Sequence, residues 1–206
     1  MSADRYLELF RTHRSKKLFR TADFPTLLDR DYRTVRVELS RLVARGLFSR
    51  VAKGWYANPF NPPSPDDLAM VLRSPAYLSL EAGLARHGVL SQSPSSLTLV
   101  TTDLPRTLVA MGTAFEYHHI KPDYFTGFSR AGCLDLAEPE KALADLIYLR
   151  HVRSRELDRG RLRSLLDDMD LELLRRRKLR RLARLMRILP VLDRVLAEWV
   201  GSDPDT

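Results

Sequence analysis

His118 and His119 stand side by side in FEYHHI, and Asp135, Glu138, Glu140 and Lys141 gather four ionisable groups in one short stretch. These are the groupings most able to do chemistry. Adjacent histidines on a strand point to opposite faces, so this pair cannot share one metal ion. No further His or Cys lies at metal-ligand spacing from them. The second grouping resembles the acid–lysine set of metal-dependent nucleases. That set needs an acid two residues before the lysine on a strand, and Pro139 occupies that place. Glu138, Pro139 and Glu140 fit a helix start instead, with proline at the first position and acids favoured by the helix dipole. Ser91, Ser93, Ser95 and Ser96 lack a G-x-S-x-G context, and no glycine-rich phosphate loop is present. The expectation is no catalytic residues, no metal and no cofactor. A metal-dependent nuclease, with Glu140 as a metal-binding acid, is the competing enzymatic reading.

The cationic groupings are more informative. In YRTVRVELSRLVARGLFSRVAKGWYAN, residues 32–58, Val35, Leu39, Leu42 and Val43 recur at helical spacing and form one apolar stripe. Tyr32, Arg33, Thr34, Arg36, Val37, Ser40 and Arg41 fall off that stripe. Gly46 follows the last periodic residue, where a glycine accepts the left-handed conformation that ends a helix. Phe48, Val51 and Trp55 to Ala57 are strand formers around a Lys53-Gly54 turn. Arg50 and Lys53 fall on this hairpin. A basic helix followed by a hairpin with a cationic tip predicts a winged helix-turn-helix, with the helix in a DNA major groove and the wing on the adjacent backbone. A second basic run, Arg175 to Arg187, has eight cationic residues in thirteen. Leu171, Leu174, Lys178, Leu182, Leu185 and Leu189 step along it at helical intervals. Its outward Arg176, Arg177 and Arg180 are expected to meet an acidic partner, RNA or DNA backbone, or only solvent.

The elements that must position these groups are legible in outline. Tyr6, Leu9, Phe10 and His13 predict a first helix. Thr21 to Leu28 predicts a short second one, before Asp29 and Asp31 as caps of the third. NPFNPPSPDD reads as a stiff proline-rich linker, which places a domain boundary after residue 60. Beyond it, Ser64 and Pro65 open a short helix and Ser79 caps another that ends at Gly88. Leu97–Thr101, Thr107–Ala110, Phe115–Ile120 and Cys133–Ala137 read as strands. Residues 138–200 read as a helical tail, with helical pattern at Arg161–Met169 and Leu171–Leu189, before a polar GSDPDT end. The fold class is therefore α+β: a DNA-binding domain over residues 1–60 and an α+β domain over 61–206.

Composition sets bounds. The chain has 206 residues and a net charge of +8. Residues 1–60 hold 13 Lys/Arg against 6 Asp/Glu, residues 61–150 hold 7 against 10, and residues 151–206 hold 14 against 10. The positive excess thus coincides with the basic helix and hairpin, where phosphates would bind. No apolar run reaches the ~18 residues of a membrane span, and no secretion signal is visible, so a cytoplasmic location is expected. Cys133 is the single cysteine, which excludes an internal disulfide and is expected to be a buried thiol.

Several segments, in order, resemble the AbiEi family: GWYANP at 54–59, PAYLSLEAGLARHGVLSQSPSSLTLVTT at 75–102, FEYHHI at 115–120, FTGF at 125–128 and LAEPEKALADLIYL at 136–149. These are antitoxin regulators of abortive-infection toxin–antitoxin systems. The resemblance implies an N-terminal winged helix and an antitoxin domain. It implies repression of the protein's own promoter at inverted repeats in double-stranded DNA. It further implies neutralisation, direct or indirect, of a nucleotidyltransferase-like toxin, AbiEii. It implies structural, not catalytic, roles for the residues near Glu81 and for Glu138 to Lys141. The arginine run at 175–187 matches no motif of the family. A plain transcriptional regulator without a toxin partner is the third reading.

Overall fold

A computed structural model describes residues 3–152 and 166–196 and shows an α+β protein of two compact units. The first comprises Met1–Arg73 with Ala110–Gly112; the second is the rest of the chain from Ser74. The expected helical tail therefore lies outside the described residues at 153–165 and 197–200, as does the GSDPDT end.

In the first unit, helix α1 (Ala3–Thr12) leads through strand β1 (Leu18–Arg20) to α2 (Asp23–Leu28) and α3 (Tyr32–Ala44). Strands β2 (Arg50–Ala52) and β3 (Trp55–Ala57) follow. β3 pairs antiparallel with both β1 and β2, giving a three-stranded sheet in the order β1-β3-β2. Tyr6, Phe10, Phe19, Phe24 and Phe48 meet edge-to-face or tilted at centroid distances of 4.9–5.9 Å, and Val35 and Leu39 of α3 join them with no exposure. Such aromatic pairs add to the stabilisation from burial alone.

The domain boundary is expected after residue 60, and the first compact unit extends to Arg73. The proline-rich segment is bound down. Asn58, fully buried, donates from Nδ2 to the carbonyls of Phe10, His13 and Lys16 at 3.2, 3.3 and 2.9 Å. Its Oδ1 accepts from Phe60 N, and Asn61 Nδ2 donates to Arg14 O. Helix α4 (Pro65–Leu72) starts in a capping box between Ser64 and Asp67, and Lys17 Nζ bonds Asp67 at 2.7 Å. Burial alone would raise the Asp67 pKa, but the bonds from Lys17 and Ser64 bring it down to about 2. The Asn58 side chain fixes this stretch together with the backbone bond from Asn58 N to Lys17 O at 2.8 Å, contacts that a reading of the segment as a stiff linker did not anticipate.

The second unit is built on a six-stranded mixed sheet, β6-β7-β5-β4-β9-β8. Its strands are β4 (Ala76–Leu78), β5 (Ser96–Thr101), β6 (Arg106–Ala110), β7 (Thr113–His119), β8 (Phe128–Ala131) and β9 (Leu134–Ala137). β5 runs parallel to β7, and β4 parallel to β9. Helices α5 (Leu80–Arg86), α6 (Pro139–Ile147), α7 (Arg176–Leu185) and α8 (Leu189–Val195) share one apolar cluster with β4, β5, β8 and β9. Every residue of α6 from Glu140 on is buried. The expected continuous helix over 171–189 is instead three pieces. A 3-10 turn at Leu171–Leu173 gives way to extended backbone at Leu174 and Arg175, and Arg187 takes φ 58° between α7 and α8. Leu185, expected to pack, is half exposed. Cys133 is also corrected: it is exposed, in the turn before β9.

Candidate nucleic-acid interface

Helix α3 begins at Asp31, whose carboxylate accepts from Thr34 N at 2.8 Å, as a capping aspartate should. It ends in a paired hydrogen-bond closure: Gly46, at φ 70°, donates to Val43 O and Leu47 donates to Leu42 O. Asp29, expected as a second cap of α3, instead takes the left-handed conformation that closes α2. Between these ends, Val35, Leu39 and Leu42 point into the aromatic core.

The opposite side of α3 is open. Arg33, Arg36, Val37, Ser40 and Arg41 are all exposed, Tyr32 is half exposed at the first turn, and Thr34 is half-buried through its capping role. Successive 100° steps place Arg33, Arg36, Val37, Ser40 and Arg41 within one face. The only acid in the helix, Glu38, is taken off that face. It accepts from Tyr6 Oη at 2.8 Å and pairs with Arg30 at 3.2 Å. Burial, followed by the bond to Glu38, pushes the Tyr6 hydroxyl well above the usual tyrosine range, so it stays a donor. The result is a ridge of three arginines, a serine and a valine that pairs with no carboxylate among the described residues.

On the hairpin, Lys53 is exposed at the turn and Gly54 supplies φ 77°. Arg50 is exposed, and its Nε donates to Ala52 O at 3.2 Å, which holds the side chain along its own strand. Arg20, which sequence reasoning missed, sits opposite Trp55 in the β1–β3 register with its guanidinium 4.7 Å from the indole centroid. Strand β1 has three residues, too few to show alternation, so nothing in the sequence marked Arg20 as a neighbour of the hairpin. The unit carries 14 Lys/Arg and 8 Asp/Glu over residues 1–73.

Among the described residues of the second unit, two charge clusters bear on the site. One is sealed: Lys141 and Asp145, one turn apart on α6, form an ion pair with no exposure of either side chain. Tyr77 Oη and Ser79 Oγ donate to the other carboxylate oxygen at 2.9 and 2.8 Å. Ser79 thus spends its hydroxyl on Asp145 and makes no side-chain cap for α5, contrary to the sequence expectation. Burial pushes the Asp145 carboxyl up and the Lys141 ammonium down, each opposed by its partner. Glu140, 2% exposed, accepts from Arg175 N at 3.0 Å and pairs with Lys178, which also reaches Glu138 at 2.9 Å. The acid–lysine set therefore joins α6 to the start of α7 and presents no open carboxylate pair. His118 and His119 diverge as expected: His118 lies 3.8 Å from Glu116, while His119 Nδ1 contacts the carbonyls of Thr102 and Asp103.

The other cluster is open. Arg175, Arg176, Arg177, Lys178 and Arg181 line a cavity of about 540 Å³ at the start of α7. Of the three arginines expected to meet a partner, Arg176 and Arg177 line it, while Arg180 reaches Asp193 at 3.7 Å. No helix among the described residues is long and apolar enough to cross a membrane. No known family profile matches the chain, and no characterised protein is significantly similar to it.

Proposed function

We propose that the protein is a DNA-binding transcriptional repressor whose first unit is a winged helix-turn-helix. One observation carries this reading: the exposed face of α3 holds Arg33, Arg36 and Arg41 with Ser40 and Val37, and its single acid is tied back by Tyr6 and Arg30. Arginines there suit guanine edges and phosphates, and an exposed valine suits a thymine methyl. The element order α1-β1-α2-α3-β2-β3 supports β2 and β3 as the wing, with Lys53, Arg50 and Arg20 proposed as backbone contacts. The second unit, on this reading, serves as an antitoxin against a nucleotidyltransferase-like toxin, as the AbiEi resemblance implies. The sealing of Lys141, Asp145 and Glu140 supports a scaffold role for the acid–lysine set and a protein without catalytic residues.

The test of DNA binding is a titration of the labelled duplex upstream of its own reading frame at several salt concentrations. About six Lys/Arg–phosphate contacts imply a log–log slope of roughly −5, at about −0.9 per phosphate. A flat salt dependence overturns the assignment. For the second role, co-expression with a toxin encoded by the neighbouring frame should restore growth; no rescue contradicts it.

A further inference from the structure

The start of α7 contradicts the electrostatics of helices. The N-terminal end of a helix is its positive end and stabilises acids, not bases. Here the N-cap is Arg175 and the first three positions are Arg176, Arg177 and Lys178, with no acid in the turn. Lys178 is neutralised by Glu138 and Glu140. Arg175, Arg177 and Arg181 pair with no carboxylate among the described residues, and all three are exposed around the 540 Å³ cavity. Breaks of a local rule concentrate at functional or strained sites.

From this convergence we infer that the cavity is a binding site for an anion with two or three adjacent phosphates, such as the tail of a nucleoside di- or triphosphate. The inference is independent of the DNA reading. The compactness of the cluster favours a short polyanion. Arg175 to Arg181 spans only ~9 Å of helix, and one duplex strand offers one charge per ~3.4 Å along its axis. A terminal phosphate alone carries about −1.5 to −2, and bonded phosphates stack such charge within the reach of one helical turn. Arginine forks match the phosphate oxygens two at a time. Five cationic residues line the cavity and no aromatic one does, so the site grips phosphates without choosing a base.

Calorimetric titration of the full chain with sodium tripolyphosphate, ATP, GTP and orthophosphate tests this, in metal-free buffer. Tripolyphosphate and the two nucleotides should bind alike, and orthophosphate at least tenfold more weakly. Arg177→Ala with Arg181→Ala changes two exposed side chains and should weaken tripolyphosphate about tenfold or more. Arg177→Lys with Arg181→Lys should fall in between, because ammonium keeps the charge but loses the fork. Binding to the upstream duplex should stay within a few-fold in both variants. Unchanged tripolyphosphate affinity in the alanine pair overturns the inference. So does tripolyphosphate binding too weak to measure, or a loss confined to duplex DNA, which would make the cluster a backbone contact instead.

Discussion

Asn58 offers the sharpest test of how the first unit is held together. Its side chain has no exposure and occupies the junction of three segments: the carbonyls that end α1, the lead into β1, and the turn after β3. Asn58→Ala deletes one amide that donates to three carbonyls and accepts from Phe60 N. The two amide hydrogens cannot serve three acceptors fully, so the count of effective bonds is about three, not four. At ~0.5–1.5 kcal/mol each, with a further ~1 kcal/mol for the Phe10 carbonyl left buried, the loss comes to about 2.5–5.5 kcal/mol. For a unit of this size each kcal/mol moves the midpoint by about 4–8 °C, so a fall of roughly 10 °C or more is expected. Asn58→Asp should be worse, because it turns a carboxylate toward those carbonyls. The assay is thermal denaturation of the full chain followed by Trp55 fluorescence. A Trp199→Phe background removes the other tryptophan, so that only the first unit reports. A loss below about 0.5 kcal/mol would mean that residues 58–72 are a loose tether and that the unit ends near residue 60.

Two other perturbations probe the polar framework. Asp145→Ala leaves Lys141 buried and unpaired and should cost about 3–5 kcal/mol, whereas Lys141→Met with Asp145→Leu should recover most of it; a double variant no more stable than the single one in thermal unfolding would contradict the buried-pair account. Asp67 has its folded pKa lowered to about 2 from an ordinary 3.8, so its contribution is present above pH ~4 and is lost as pH falls toward 2. Because Lys17 is partly open to solvent, that contribution is about 1 kcal/mol after screening. Denaturation of the Asp67→Asn variant and the parent from pH 6 to 2 should converge at the acid end, and a constant gap would refute the linkage.

The parts of the fold that the sequence revealed are those with local signals. The i, i+4, i+7 stripe of α3, its Asp31 cap and its Gly46 stop each act within a turn or two, and all three stand in the structure as read. The α6 start at Glu138 and Pro139 was legible for the same reason. What was missed depends on partners distant in the chain. Strands β1 and β4 have three residues each and β8 has four, too short for alternation to separate them from loop. Asn58 looks like any turn asparagine until α1 supplies the carbonyls it plugs. Lys141 reads only as part of a helix start, yet it is sealed by Asp145, Tyr77 and the close approach of Gly127, where a Cβ would come within 3.1 Å of its stem. In the candidate interface, the outward arginines of α3 were visible by elimination from the stripe, whereas the removal of Glu38 by Tyr6 and Arg30 required the tertiary structure.

On the proposed reading, α3 reads base edges while the β2–β3 hairpin holds the DNA backbone. Arg36 lies in the first half of α3, the part of a recognition helix that reaches bases, and its exposed side chain can be removed at little cost in stability. The decisive measurement compares Arg36→Ala and Lys53→Ala for affinity to the upstream duplex and to a random duplex at one salt concentration. Loss of a base-reading arginine costs about 1–3 kcal/mol of discrimination. Arg36→Ala should therefore weaken upstream binding about 5- to 150-fold more than random binding, while Lys53→Ala weakens both to the same degree. If the two variants lose affinity for both duplexes in equal proportion, α3 is not a reading helix and the account of this protein as a sequence-specific repressor fails.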